Sequence, residues 1–296
     1  MTPSDDAAEA AARLLERHPD FVVLRRLPRA ARYAPPGGEA VKLGFFVDVE
    51  TTGLEPRSDA IIQFCGVLFE FEPASGRIHA LRDAITGYED PGRPIPALVT
   101  EKTGITDAMV AGQRLDERVI GEALGEAVLV VAHNAAFDRA FLERRLPAFA
   151  DRHWACSQVD VPWAAHGLDS TKLEFLLYKH ARTFYEAHRA DEDVYAGLHL
   201  LATPFPNGEL PMQKLLESAR RPLFRITATG APFEQKDVLK GRGYRWDAAL
   251  RAWWREVAEP ARDGEVAWLR ETVYAGSVGT PEVAKIDLKR RFAERP

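Results

Sequence analysis

Phe45-Phe46-Val47-Asp48-Val49-Glu50-Thr51-Thr52-Gly53 is the stretch that decides the fold. It begins as a run of aromatic and β-branched residues, the composition of a buried strand. Asp48 and Glu50 then interrupt the run. Residues i and i+2 of a strand share a face, so both acids project from one side, about 7 Å apart along the chain. Two like charges on a core strand repel each other and lose hydration. A divalent cation that prefers hard oxygen ligands, such as Mg²⁺, removes the conflict. Thr51-Thr52-Gly53 turns the chain directly afterwards. The plainer alternative is a pair of acids fraying at a strand end.

Outward from this strand, the pattern predicts a sheet. Residues 51–60 read as a polar loop, Ile61–Phe69 as a long strand, and Arg77–Ile85 as a third strand returning after the turn at Pro73-Ala74-Ser75-Gly76, which makes an antiparallel meander. Short helices are expected at Leu98–Lys102 and Leu115–Leu124. Val128–Ala132 is fully apolar and reads as another buried strand. His133-Asn134-Ala135-Ala136-Phe137-Asp138 comes straight off it. Asn134 suits the N-cap of a helix running to about Arg145, which places Asp138 in the early turns, while Phe137 and Phe141 bury a neighbouring face. Parallel strands end at one edge of a sheet, and ligands bind outside those ends. Asp138 can therefore meet Asp48 and Glu50 there. Trp154–Gln158 is expected as the fifth strand, and Ser170 as the cap of a helix with Leu173, Leu176 and Leu177.

His188-Arg189-Ala190-Asp191-Glu192-Asp193 follows. On one helix, His188 and Asp193 would point about 140° apart. They converge only if His188 lies on the loop before the helix, with Asp191 as N-cap and Asp193 in the first turn.

Asp48-Val49-Glu50-Thr51-Thr52-Gly53, Asp138 at a helix start, and His188 five residues before Asp193 occur in the order found in DEDDh exonucleases, and residues 44–203 resemble that family, which includes the polymerase III epsilon proofreading subunit. Thr103-Gly104-Ile105-Thr106 is similar to the family's Gly-Ile turn near the nucleotide pocket. The resemblance implies a ribonuclease H-like α/β domain with a mixed five-stranded sheet. It implies 3′–5′ hydrolysis of nucleic acid to 5′-mononucleotides, with DNA expected ahead of RNA and RNA left open as a substrate. Asp48, Glu50, Asp138 and Asp193 would hold two Mg²⁺ or Mn²⁺ ions, and His188 would be the general base. It also implies substrate contacts at Thr51, Leu54, Asn134 and Phe137. Single-stranded or frayed 3′ ends of DNA, with RNA as the alternative, are the expected partners. The alternative is a non-catalytic module that holds a nucleic-acid end, or an accessory subunit of a polymerase.

The chain has 296 residues, 46% of them hydrophobic, enough for a full core. No apolar run approaches the ~20 residues of a membrane span, and the acidic Met1-Thr2-Pro3-Ser4-Asp5-Asp6 does not read as a signal peptide. Cys65 and Cys156 make no disulfide framework, so a cytoplasmic setting is expected. His153 and Cys156 lack the further ligands of a zinc site. The net charge of −5 divides into +1 over residues 1–43, −10 over 44–203 and +4 over 204–296. Residues 1–43 read as an appended helix (5–18) and strand (Phe21–Leu24), followed by a linker at Pro35-Pro36-Gly37-Gly38. Residues 204–221 read as a linker helix, in which Gln213-Lys214-Leu215-Leu216 faintly resembles a peptide that binds a polymerase's sliding clamp. Residues 222–275 read as a small α+β module: a strand at Leu223–Thr227, a helix at Glu234–Lys240, a hairpin about Asp247–Leu250 and a last helix at about 263–274. The module resembles small units appended to DNA-processing enzymes, including the HARP annealing type. Tyr244 and Trp246 are expected under its helix, leaving Trp253 or Trp254 outside among Arg245, Arg251 and Arg255 to contact nucleic acid; the alternative is that both indoles are buried. Residues 276–296 read as a basic, flexible tail.

Overall fold

A computed structural model describes residues 5–35, 40–275 and 278–293. Pro36, Gly37 and Gly38 of the expected linker lie outside the described residues, as do Gly276 and residues 294–296 of the expected tail. The chain divides into two compact units, one reaching to Leu216 and the other spanning Glu217–Arg291. Among the described residues no helix is long and apolar enough to cross a membrane.

The elements up to the boundary run α1 (Asp5–Glu16), β1 (Arg25–Arg26), β2 (Lys42–Thr51), β3 (Ile61–Phe71), β4 (Ile78–Leu81), β5 (Ile85–Tyr88), α2 (Ala97–Thr103), α3 (Asp107–Val110), α4 (Glu117–Glu126), β6 (Leu129–Ala132), α5 (Ala135–Arg145), β7 (Trp154–Cys156), α6 (Leu173–Leu176), β8 (Thr183–Phe184), α7 (Ala190–Ala202) and α8 (Pro211–Ala219). The main sheet has the order β4-β3-β2-β6-β7. β2 and β3 are antiparallel, whereas β2, β6 and β7 run parallel. This is the mixed sheet of a ribonuclease H-like fold. The expected third strand is split, because β4 and β5 share one flank of β3.

Alternation along β2 assigns its two faces. Phe45, Val47 and Val49 enter one core with Ile120 and Leu124 of α4 and Phe141 and Leu142 of α5. Phe46, Asp48 and Glu50 face the other way, toward α7. Gly197 makes that approach close: a Cβ on it would sit 2.2 Å from the Phe46 ring. Asp193 lies one turn before Gly197 on the same helix face, so this packing brings its carboxylate to β2.

Several local expectations are corrected. Phe21 and Val22 are exposed, and the short strand forms just beyond the expected stretch, at Arg25–Arg26, because its partner β8 fixes the pairing. Ser170 closes the turn before α6, its Oγ accepting from the Lys172 N–H at 3.4 Å, and the N-cap position belongs to Lys172. Arg189, not Asp191, is the N-cap residue of α7. Met212, Leu215 and Leu216 of α8 are buried, so the clamp-like stretch turns its leucines inward.

The second unit contains β9 (Leu223–Thr229), α9 (Lys236–Gly241), β10 (Arg245–Asp247), β11 (Ala252–Ala258), α10 (Glu259–Trp268) and β12 (Thr280–Ile286). Its sheet, ordered β10-β11-β9-β12, is antiparallel throughout. Phe224, Ile226, Leu239, Tyr244, Val257 and Leu269 form its core. Residues expected to be a flexible tail instead supply β12, which pairs with β9 over seven residues. That strand is mostly exposed and carries no apolar alternation, so its order comes from the open edge of β9. Trp246 is also corrected. It is 52% exposed, because Gly243 at φ +88° and the Tyr244 N–H bond to the Leu239 carbonyl (3.0 Å) turn only Tyr244 into the core.

Candidate active site

Four carboxylates meet at the C-terminal ends of the parallel strands. Asp48 and Glu50 come from β2, opposite Cys65 and Gln63 of β3. Asp193 comes from the first turn of α7. Carboxylate oxygens of these three half-buried residues lie within 4.8 Å of one another. Asp138 arrives from the first turn of α5 and is 3% exposed. The parallel ladder between β2 and β6 ends at Phe46, and beyond it the Val49 N–H donates to Asp138 Oδ1 at 3.2 Å. Asn134 stands at the N-cap position of α5 but makes no side-chain capping bond, which leaves its amide exposed.

The cluster is under electrostatic load. Burial, then the charges of Asp138, Asp193 and Glu50, drive the Asp48 carboxyl far above the usual range. Burial and Asp193 push Glu50 up to about 8, partly opposed by Lys102. Burial pushes Asp138 up to about 7, against the bond from Val49. Burial pushes Asp193 up to about 6, against hydrogen bonds from Tyr185 and His188. Such a set of hard oxygen donors is matched to a divalent cation such as Mg²⁺ or Mn²⁺.

His188 lies on the five-residue loop before α7, as its spacing requires, in the left-handed region at φ +68°. Its backbone N–H donates to Asp193 Oδ2 at 3.0 Å. Tyr185, on the same loop, donates its hydroxyl to Asp193 Oδ1 at 2.7 Å. Gln63 accepts the Ala190 N–H at 3.2 Å and so fixes the start of α7. Burial, then the positive charge of Lys102, lowers the His188 pKa below the ordinary imidazole value. Tyr185, Gln63 and Lys102 carry no signal in the sequence. Their roles arise from contacts across the fold, without periodicity or motif spacing.

The remaining expected residues surround this centre or lie in the other unit. Thr51 is buried, with its hydroxyl donating to the Gly53 carbonyl at 2.6 Å, whereas Leu54 is 84% exposed on the following loop. The ring of Phe137 packs 4.9 Å from Phe141. In the second unit, Trp253 leans on the core and meets Trp246 edge-on at 5.6 Å. Trp254 points from the opposite face, with the Arg225 and Arg245 guanidinium groups 4.7 and 6.0 Å from its ring centre. Arg251 is exposed, but Arg255 turns inward, 3.3 Å from Glu265 and near the Tyr244 ring.

A family model described as RNase T exonuclease matches residues 45–201. The chain is 34% identical over 165 residues to a PolC-type DNA polymerase III of Clostridium perfringens, covering 53% of this chain and 11% of that protein. It is 31% identical over 154 residues to the 3′-5′ exonuclease DinG of Bacillus subtilis, covering 50% of this chain and 16% of that protein. The chain therefore spans less than a fifth of the length of these curated relatives. Its backbone is also similar to a structure of exonuclease I, at 16% identity and a TM-score of 0.50, over 73% of this chain and 62% of that one.

Proposed function

This chain belongs to the RNase T family of exonucleases, and from that premise we propose that it is a metal-dependent 3′–5′ exonuclease acting on single-stranded or frayed DNA ends and releasing 5′-mononucleotides. The observation that carries the reading is the convergence of Asp48, Glu50 and Asp193 within 4.8 Å, with Asp138 beside them and all four carboxyl groups pushed upward in pKa. An oxygen-only donor set of this charge fits two Mg²⁺ or Mn²⁺ ions. Ions bound there would lower the pKa of the attacking water and stabilise charge on the leaving 3′-oxygen.

The chain's own groups supply the rest. A ring nitrogen of His188, whose pKa burial and the charge of Lys102 lower, takes the proton of the attacking water. Tyr185 and the His188 N–H hold one oxygen each of Asp193, which keeps that ligand aimed at the cluster. The backbone near Thr51 contacts the terminal nucleotide, exposed Leu54 wedges its base, and Asn134 and Phe137 line the same end of the sheet. Lys102 supplies positive charge near Glu50 and His188, where a substrate phosphate comes to lie. DNA is favoured as substrate by the polymerase among the similar proteins. In the second unit, Trp254 with Arg225 and Arg245 offers a ring and cations to a passing strand.

The test is cleavage of an oligonucleotide by chelator-stripped protein. Activity should be absent in EDTA and return with Mg²⁺ or Mn²⁺, and Asp193→Ala should lose at least ~10³-fold because ligands and ions act as a unit. Full cleavage in chelator would refute the metal reading. Tight binding of DNA ends without cleavage would favour a holding module instead.

A further inference from the structure

We propose that residues 25–33 form a strap that positions the loop carrying Tyr185 and His188, with Arg29 as its principal positioning residue. The inference rests on the exonuclease reading of the site. These residues precede the segment matched by the family, and the sequence pattern gives them no chemistry.

The loop Tyr185–Arg189 is short and strained. His188 occupies a left-handed backbone conformation that a non-glycine residue keeps only when its surroundings hold it. The strap grips both ends of this loop. Before it, Arg25–Arg26 pair in parallel with Thr183–Phe184. The Arg25 N–H donates to the Arg182 carbonyl at 3.0 Å, and the Leu27 N–H donates to the Phe184 carbonyl at 2.9 Å. Leu27 is buried, and the Arg26 guanidinium lies 5.1 Å from the Phe184 ring centre. After the loop, Arg29 pairs with Asp191 at 3.0 Å and with Glu192, both in the first turn of α7. Its guanidinium also lies 4.4 Å from the ring centre of Tyr195. One planar cation therefore ties three residues of the helix that presents Asp193.

The strap is itself anchored. The Leu81 N–H donates to the Ala31 carbonyl at 2.8 Å, the Tyr33 N–H donates to the His79 carbonyl at 2.7 Å, and Arg32 bridges to Ala80. His79 also lies 2.7 Å from the Pro35 carbonyl through Nδ1 and 2.9 Å from Glu72 through Nε2. The edge of the main sheet is thereby connected through residues 25–33 to the His188 loop. Fixed ends restrict the conformations open to five intervening residues, which keeps His188 in its strained geometry and its N–H on Asp193.

The experiment compares full-length wild type, Arg29→Ala and Arg29→Lys. Steady-state cleavage of an oligothymidylate with Mn²⁺ is measured together with amide hydrogen exchange of residues 185–193. Arg29→Ala should lower kcat roughly 5–30-fold with KM within twofold, and speed exchange in the loop at least ~10-fold while the core strands stay protected. Arg29→Lys, which keeps the charge and loses the fork, should recover part of both effects. Wild-type kcat or unchanged loop exchange in Arg29→Ala would overturn the strap. So would a loss confined to KM, which would make Arg29 a substrate contact. If the wild type does not cleave, the exonuclease reading fails, and loop exchange alone decides the strap.

Discussion

Glu50→Gln should make the metal-free protein more stable and the enzyme inactive. The Glu50 carboxyl is raised by burial and by Asp193 from 4.5 to about 8. Between those values the folded state binds a proton that the unfolded state has released. The contribution of Glu50 to stability therefore falls as pH climbs through this window. The penalty is about 1 kcal/mol at pH 5, about 3 kcal/mol at pH 7 and about 5 kcal/mol above pH 8. Glutamine keeps the volume, carries no charge and removes the penalty. In EDTA the variant should unfold later than wild type, with a gap that widens as pH rises. At pH 7 the gain corresponds to roughly 6–12 °C in Tm for a unit of this size. Saturating Mg²⁺ should narrow or reverse the gap, because bound cations offset the repulsion in the wild type. Thermal and urea unfolding at pH 5, 7 and 8.5, with and without metal, gives the answer. A Glu50→Gln variant no more stable than wild type at pH 8.5 in EDTA would refute the reasoning.

Three further outcomes follow from the same geometry. His188→Ala should reduce kcat roughly 10²–10⁴-fold; because burial and Lys102 depress its pKa, the wild-type rate should rise with pH through a midpoint below ~6.5, and the variant should lack that limb. A wild-type pH profile in the variant would remove His188 as the base. Tyr185→Phe deletes the hydroxyl bond to Asp193, so kcat should fall roughly tenfold and the Mn²⁺ half-saturation point should rise, as read in a metal titration. In the second unit, combining Trp254→Ala with Arg245→Ala should weaken binding of long single strands and reduce its salt slope by about 1, while leaving dinucleotide cleavage intact. Fluorescence titration at several salt concentrations checks this, and unchanged affinity would make that face structural.

What was legible in the sequence was local. Asp48 and Glu50 share a face because strand geometry has period two, and the loop position of His188 follows from helical geometry applied to its spacing from Asp193. The apolar run ending at Ala132 and the helix starting at Ala135 were readable for the same reason. What stayed hidden depends on distant partners. β1 is two exposed arginines, and only β8 makes them a strand. β12 is a polar edge strand whose order comes from β9. Trp246 shares the strand period of Tyr244, but the turn at Gly243 separates their environments. Tyr185 reaches Asp193 through one hydroxyl from a loop, a contact with no periodic signature.

The central claim is tested most directly by the identity and order of the products. Purified protein with Mg²⁺ should be given a single-stranded DNA labelled at its 5′ end and, separately, one labelled at its 3′-terminal nucleotide. The account predicts a descending ladder from the first and immediate release of a labelled 5′-mononucleotide from the second, with both reactions absent in Asp193→Asn. A ladder that shortens from the 5′ end, a nucleotide released with a 3′-phosphate, or equal activity in Asp193→Asn would contradict it.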